Sequence, residues 1–126
     1  MDQLATWISV FVGGGLGSMA RFGVSLYVVK NLKSNLPIAT FFANLLACLV
    51  LVWAVNQVGT SLAKSVWFRP LIIVGFCGGF STFSTFSYET MLLLKANEWI
   101  WAMANVGVSV LATVVVMWFL YKTPVV

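Results

Sequence analysis

Charged residues are scarce in this sequence, and histidine does not occur. Only 8% of the 126 residues are charged, three acids and seven bases, whereas 61% are hydrophobic. Soluble domains carry roughly 25% charged residues, so this composition cannot supply a surface that faces water. Without histidine, imidazole catalysis and histidine-ligated metal sites are excluded. We therefore expect a lipid environment and a single four-helix transmembrane domain, residues 1–126.

Clusters of chemically reactive residues are missing as well. No nucleophile–base pair, carboxylate pair or group of metal ligands occurs, so an enzyme is the weakest interpretation. The net charge of +4 comes from scattered bases that form no basic stripe, which excludes a nucleic-acid partner. Cys48 and Cys77 lie in apolar segments. We interpret them as small buried hydrophobic residues and not as a disulfide framework.

Four apolar stretches are long enough to form transmembrane helices. A helix needs about 20 residues to cross the hydrocarbon core, and the connections between the stretches are short and polar. The predicted spans are residues 4–29, 37–58, 66–94 and 99–121. In the first span, the Gly13-x-x-x-Gly17 spacing predicts close approach of another helix. The predicted fold class is an all-α membrane protein with four transmembrane helices per subunit.

The third span contains a segment that disfavours a continuous helix. In Gly78–Ser87, two adjacent glycines precede phenylalanines that recur every three residues, with serine and threonine between them. Adjacent glycines and hydroxyl residues weaken a helix. Non-helical backbone at membrane depth is tolerated only where it is buried in protein or lines a wet cavity. We therefore predict a broken third helix, with the break near residues 78–82.

Polar side chains inside the spans mark candidate functional positions, because each is unfavourable in lipid. Asn44 lies in an apolar part of the second span, where it could also be a simple interhelical hydrogen bond. Arg21 either snorkels to the interface or holds positive potential at the mouth of an anion path. Glu89 is expected to pair with helix-breaking backbone or with a neighbouring donor. Three polar residues of the fourth span share one helical face, as a helix contact or a hydrated track: Asn105, Ser109 and Thr113.

The phenylalanine stripe of the third span has two interpretations. Rings at this spacing usually belong to a packed core. Alternatively, their positive edges could approach an anion, while neighbouring hydroxyl and amide donors replace its hydration shell. No base lies among them to bind the ion too tightly for conduction. The second interpretation points to a small, strongly hydrated anion.

The distribution of the bases does not determine a membrane orientation. Three bases fall on the side of the chain termini, namely Lys64, Arg69 and Lys122. Four fall on the other side, namely Arg21, Lys30, Lys33 and Lys95. The positive-inside rule needs an excess on one side. Either the chain inserts in both orientations and forms an antiparallel homodimer, or an excess of one basic residue is enough to set a single orientation.

The segment Gly78–Ser87, with Asn44 upstream and Arg21 in the first span, resembles the Fluc (CrcB) fluoride channels, and the resemblance covers the whole chain. It implies an antiparallel, dual-topology homodimer in the bacterial inner membrane that passively exports cytoplasmic fluoride. By this resemblance, Phe83 and Phe86 would be the pore rings, Asn44 would orient them, and Arg21 would lie in the vestibule. The remaining implied pore residues are hydroxyl-bearing: Thr40, Ser84, Ser109 and Thr113.

The resemblance also implies a central sodium ion at the dimer interface, held mainly by backbone carbonyl groups at the helix break. The implied residues are Gly78, Ser81 and Thr82. Two positions depart from the usual pattern of the family. Asn105 stands where relatives often carry an aromatic residue, and Ser81 replaces a threonine found in some of them.

Two other classes of membrane protein are alternatives. A small multidrug exporter, also with four spans, needs an acid within its first helix, and none occurs between Asp2 and the first loop. A structural subunit of a larger complex would explain the glycines and aromatic residues, but not the hydroxyl-rich segment together with Asn44. The favoured hypothesis is passive and selective conduction of fluoride.

Overall fold

The computed structural model describes residues 2–122, which form an all-helical protein without strands. The helices are α1 (Gln3–Asn31), α2 (Ile38–Asn56), α3 (a π-helical segment, Arg69–Cys77, continued by the α-helical turn Gly78–Phe80), α4 (Phe83–Lys95) and α5 (Trp99–Leu120). The ends of the predicted spans lie within three residues of helix ends, with α3 and α4 together covering the third. The division of the chain into four spans stays a prediction. The predicted domain also includes residue 1 and residues 123–126, which lie outside the described residues.

Within residues 2–122, three stretches are long and apolar enough to cross a membrane: Ile38–Asn56, Arg69–Lys95 and Trp99–Leu120. The chain is therefore a multi-pass membrane protein. α1 has 29 residues, and at about 1.5 Å per residue it exceeds the thickness of the hydrocarbon core. Its glycines and Arg21 make α1 less apolar than the three stretches named above. Its assignment as an additional transmembrane span therefore stays a prediction.

Local sequence explains where α1 begins and where α4 ends. The Asp2 carboxylate accepts a hydrogen bond from the Leu4 N–H group at 3.2 Å, which caps α1. α4 ends before Asn97, which has a positive φ of 60°, a conformation that asparagine tolerates better than most residues. The Glu98 N–H group then donates to the Leu93 carbonyl oxygen at 2.9 Å, and the chain turns directly into α5.

α1 and α3 approach so closely that their backbones touch at glycine positions. A Cβ atom at Gly17 would meet the Phe76 carbonyl oxygen, and one at Gly79 would meet the Gly14 carbonyl oxygen. Close backbone contacts of the same kind occur at Gly13 and Gly75. The close approach predicted from the Gly13-x-x-x-Gly17 spacing is confirmed. Such backbone packing is typical of helix pairs in membranes.

Small residues of α2 pack against the aromatic end of α3. Ala43, Ala47 and Phe80 form a buried cluster, and the rings of Phe76 and Phe80 meet edge to face with centroids 5.5 Å apart. Phe80 is 6% exposed, whereas Phe83 is 79% exposed. The predicted stripe of phenylalanines therefore divides between the core and the surface, because non-helical backbone separates the two residues.

Candidate functional site

Between α3 and α4, two residues leave the helical conformation. Ser81 has a ψ angle of 156°, and Thr82 has φ −149° and ψ 117°, so both are extended. The Thr82 N–H group donates to Asn44 Oδ1 at 2.7 Å, and the Thr85 N–H group donates to Thr82 Oγ1 at 3.2 Å. In a continuous α-helix these groups would bind the carbonyl oxygens of Gly78 and Ser81. Those two carbonyls consequently lose their helical donors.

Asn44 binds the extended backbone through both ends of its side-chain amide. While its Oδ1 atom accepts from the Thr82 N–H group, its Nδ2 group donates to the Thr82 carbonyl oxygen at 3.3 Å. The Thr82 hydroxyl also donates to Thr85 Oγ1 at 3.0 Å. Backbone polar groups inside a membrane need such partners. Asn44 therefore joins α2 to the start of α4 and satisfies polar groups that the interruption would otherwise leave unpaired.

Arg21 contacts the last turn of α3. Its Nε group lies 3.4 Å from the Gly79 carbonyl oxygen and donates to it. The carbonyl end of a helix carries partial negative charge, so a guanidinium group is favourable there. The contact places Arg21 beside the helix interruption, while the two roles predicted from its sequence position stay predictions.

An open groove of about 260 Å³ lies where α2, α4 and α5 meet. It is lined by Phe41, Asn44, Cys48, Ser81, Thr82, Phe83, Phe86, Ser109, Val110 and Thr113. None of these side chains carries a formal charge. The Phe83 and Phe86 rings have centroids 6.0 Å apart with an interplanar angle of 37°. The groove therefore presents two aromatic rings together with amide and hydroxyl groups.

The groove brings together five of the seven predicted pore residues: Asn44, Phe83, Phe86, Ser109 and Thr113. The other two, Thr40 and Ser84, do not line it. Thr40 is 5% exposed, and Ser84 is exposed with its hydroxyl 3.4 Å from Thr82 Oγ1. Of the three residues predicted at the cation site, Ser81 and Thr82 line the groove and Gly78 does not.

Sequence reasoning missed three residues of the groove, namely Phe41, Cys48 and Val110. The first two stand three residues before and four residues after Asn44, so they share its helical face. Helical spacing around Asn44 was the signal that could have found them. The expectation that both cysteines are buried holds for Cys77, whereas Cys48 is only half-buried because it lines the groove.

A second group of polar contacts joins α4 to α2 and α5. The Thr40 hydroxyl donates to Glu89 Oε1 at 2.8 Å, which confirms that Glu89 pairs with a neighbouring donor. Its other oxygen, Oε2, is buried and has no hydrogen-bond partner among residues 2–122. On α5, Asn105 Nδ2 donates to Thr90 Oγ1 at 2.9 Å. Within the predicted polar stripe, Asn105 thus makes a helix contact, and the other two residues line the groove.

Comparisons with known proteins extend over nearly the whole chain. Residues 8–121 match the family described as "CrcB-like protein, Camphor Resistance (CrcB)". A relative from Serratia proteamaculans is 34% identical over 113 residues, which cover 90% of this chain and 88% of the relative. A relative from Pyrococcus abyssi is 37% identical over 112 residues, with 89% of each chain covered. Both relatives are named "Fluoride-specific ion channel FluC".

A relative from Pyrococcus furiosus with the same name is 39% identical over 105 residues, which cover 83% of this chain and 84% of the relative. The matched segment begins within α1, ends just after α5, and includes both halves of the interrupted third stretch. By the extent of this family match and by these identities, the chain belongs to the CrcB family.

Proposed function

We propose that this chain is the subunit of a passive, fluoride-selective ion channel that exports cytoplasmic fluoride and relieves its toxicity. The protein conducts an ion and catalyses no reaction. The names of its relatives support fluoride as the ion. The observation that carries the proposal is the uncharged groove, in which the rings of Phe83 and Phe86 lie beside hydroxyl groups of α5.

The chemistry of the groove suits a small, strongly hydrated anion. Such an ion needs polarised hydrogens in place of water, and the edges of aromatic rings carry partial positive charge. The groove also lies at the N-terminal end of α4, where the helix dipole favours negative charge. Because no base lines the groove, the ion is attracted without being held too tightly to leave. Selectivity over chloride would arise where the covered groove forms a narrow path that dehydrates the ion.

Each predicted residue has a proposed role in this path. Phe83 and Phe86 present their ring edges to the ion, and the hydroxyl groups of Ser109 and Thr113 form the facing wall. Asn44 sets the start of α4, and therefore the direction of both rings, through its two bonds to Thr82. Three further residues keep the roles that the family resemblance implies: Thr40 and Ser84 as pore hydroxyls, and Arg21 in the vestibule.

A second copy of the chain is the proposed cover of the groove. Phe83 is 79% exposed, and a conducting path must be shielded from lipid along its length. We propose an antiparallel, dual-topology homodimer with two pores. In each subunit α1 also spans the membrane, which gives four spans, and the third span along the chain is broken at residues 81 and 82. The nearly equal numbers of bases on the two sides, three and four, are compatible with insertion in both orientations. The bacterial inner membrane is the proposed location.

The interruption between α3 and α4 also fits a sodium ion at the dimer interface. The carbonyl groups of Gly78 and Ser81 lack their helical donors, and freed carbonyls at the end of a half-helix are suitable ligands for sodium. No atom lies within 4 Å of a Cβ built at Gly78, so a second backbone has room to approach. The Thr82 carbonyl and hydroxyl oxygens already accept hydrogen bonds. We therefore propose Gly78 and Ser81 as the ligands, contributed by both subunits.

Fluoride efflux from liposomes tests the proposed function. Purified wild-type protein should release fluoride rapidly in the presence of a potassium ionophore, as read by a fluoride electrode, and should release little chloride in a parallel assay. Phe83→Ile and Phe86→Ile should each slow fluoride release at least about tenfold, equivalent to about 1.4 kcal/mol in the barrier. Phe119→Ile is the matched control, because Phe119 is 78% exposed on α5 and lies outside the groove.

The outcomes separate the function from its mechanism. If well-folded wild-type dimers release no fluoride, the channel proposal is wrong, and the exporter and structural-subunit alternatives return. If the wild type conducts but both groove variants conduct equally well, the role of the ring edges is wrong. An equal loss in the Phe119→Ile control would show that the effect is not specific to the groove.

A further inference from the structure

A chain of hydrogen bonds connects α5 to the backbone of α4 beside the groove. Asn105 Nδ2 donates to Thr90 Oγ1 at 2.9 Å, and the Thr90 hydroxyl donates to the Phe86 carbonyl oxygen at 2.8 Å. Among residues 2–122, this is the one side-chain hydrogen bond that joins α4 to α5. This series of hydrogen bonds therefore ends on the backbone of Phe86, one of the residues whose rings line the groove.

Apolar packing holds α4 weakly. None of its residues is buried, and elements with few buried contacts move more readily than a packed core. Its position depends on polar contacts with its neighbours: Asn44 with Thr82, Thr40 with Glu89, and Asn105 with Thr90. Because side chains follow the rotation of their helix, these contacts also determine where the Phe86 ring points.

Asn105 lies beside the groove and not in its lining. It borders a separate cavity of about 180 Å³, whose wall includes Phe41 and Ser109. These two residues also line the groove, so the two spaces are adjacent. The amide of Asn105 donates to Thr90, and Thr90 donates to the Phe86 carbonyl group. Asn105 is therefore connected to the groove only indirectly, through these two hydrogen bonds.

We propose that Asn105 is a positioning residue, which acts through Thr90 to set the rotation of α4 and thereby the orientation of the Phe86 ring. This inference rests on the proposed function of the groove. Asn105 then affects the current and the selectivity of each open channel without contacting the ion. A merely structural contact would instead change the number of folded channels and leave the properties of each one unchanged.

Single-channel fluoride currents and fluoride-over-chloride permeability ratios test the inference. Asn105→Leu removes the amide at similar size, and Thr90→Val removes the hydroxyl with little change in shape. Each should lower the unitary fluoride current by about threefold to tenfold, as expected for a lost interhelical hydrogen bond, and should shift the permeability ratio. Thr90→Ser, which keeps the hydroxyl, should restore the wild-type current. Val106→Ala is the control on an exposed face of α5.

The double variant shows whether the two residues act as one unit. Asn105→Leu combined with Thr90→Val should conduct like Thr90→Val alone, because both changes break the same chain of bonds. Additive losses would overturn the inference, and so would wild-type unitary currents and ratios in both single variants. Fewer active vesicles with unchanged unitary current would also overturn it. If Asn105→Leu does not assemble, Thr90→Val and Thr90→Ser decide the question by the same readouts.

These outcomes are distinct from a failure of the proposed function. Fluoride current in the wild type, with currents in the variants that match it, overturns only the positioning role. A folded wild-type protein without fluoride current overturns both proposals.

Discussion

α3 and α4 flank the same two extended residues but are held in opposite ways. α3 packs backbone against backbone on α1, at glycines where an added Cβ atom would collide with a carbonyl oxygen. α4 contributes no buried residue, and side-chain hydrogen bonds from α2 and α5 position it. One half of the interrupted stretch is therefore anchored by steric contact and the other half by polar contact.

This difference has consequences for function. Close-packed backbones leave no room for adjustment, so changes at the α1–α3 contact should affect folding before they affect the groove. Hydrogen bonds between side chains specify orientation at a modest energy each. Changes around α4 should therefore affect the rings of the groove more than the folded state. The three predictions below test this contrast, from the largest expected effect to the smallest.

Gly17→Ala should have the largest effect on stability. The new Cβ atom would meet the Phe76 carbonyl oxygen and would lie 2.8 Å from the Phe80 backbone nitrogen. Neither backbone atom can move without separating α1 from α3, so we expect a loss of about 3 kcal/mol in the free energy of unfolding. Equilibrium unfolding in detergent micelles measures it.

The matched control is Gly15→Ala, which lies on the same helix with no atom within 4 Å of its Cβ position. It should unfold like the wild type or slightly later, because alanine favours a helix more than glycine does. Equal stability of the Gly17 and Gly15 variants would contradict the close packing of α1 on α3.

Asn44→Ala should have an intermediate effect that appears in both stability and conduction. It removes both partners of the Thr82 backbone, which is partly buried, so the polar groups left unpaired should cost about 1 kcal/mol. Since α4 then loses the contact at its start, fluoride efflux should fall together with the free energy of unfolding. Both are measured on the same preparation.

Leu46→Ala is the control for Asn44→Ala, because Leu46 lies on α2 two residues after Asn44, is 39% exposed and does not line the groove. It should leave efflux and unfolding close to wild type. Wild-type efflux in Asn44→Ala would show that the orientation of α4 does not depend on this contact.

Gly78→Ala should have the smallest effect on the subunit itself. Gly78 has a helical φ of −64° and open space around its Cβ position, so the free energy of unfolding should change by less than about 0.5 kcal/mol. Gly79→Ala, one residue later, should be strongly destabilising because its Cβ atom would meet the Gly14 carbonyl oxygen.

The Gly78→Ala variant also tests the proposed dimer interface. Any large effect of Gly78→Ala must come from contacts with a second subunit or with a bound ion. The fraction of dimer, measured in detergent with and without sodium, detects such an effect. We expect the wild-type dimer to weaken without sodium and the Gly78 variant to dimerise less in both conditions. A wild-type dimer that is indifferent to sodium would argue against the cation site.

Several parts of the candidate site were predictable from local spacing. The apolar lengths located the helices, the glycine spacing indicated the α1–α3 contact, and a period of four placed Ser109 and Thr113 on one face. Such patterns are visible because helical neighbours are only three or four residues apart in sequence. The same rule around Asn44 would have added Phe41 and Cys48 to the groove.

The partners of the polar residues were not predictable in this way. Asn44 binds Thr82, and Thr40 binds Glu89, across separations of 38 and 49 residues. A three-residue repeat also suggested that Phe80, Phe83 and Phe86 share one environment. The extended backbone of residues 81 and 82 divides them, so that Phe80 enters the core and the other two rings line the groove.

The sequence alone determined the lipid environment and the positions of the helices, because composition and apolar length depend on no particular contact. Only the tertiary structure decided which polar groups pair, which carbonyls lose their helical donors, and which rings face the groove. The physical reason is that these features require helices distant in sequence to meet at specific atoms. Asn44 Oδ1 can accept the Thr82 N–H group, which would otherwise bind the Gly78 carbonyl oxygen, only after α2 has packed beside α3 and α4.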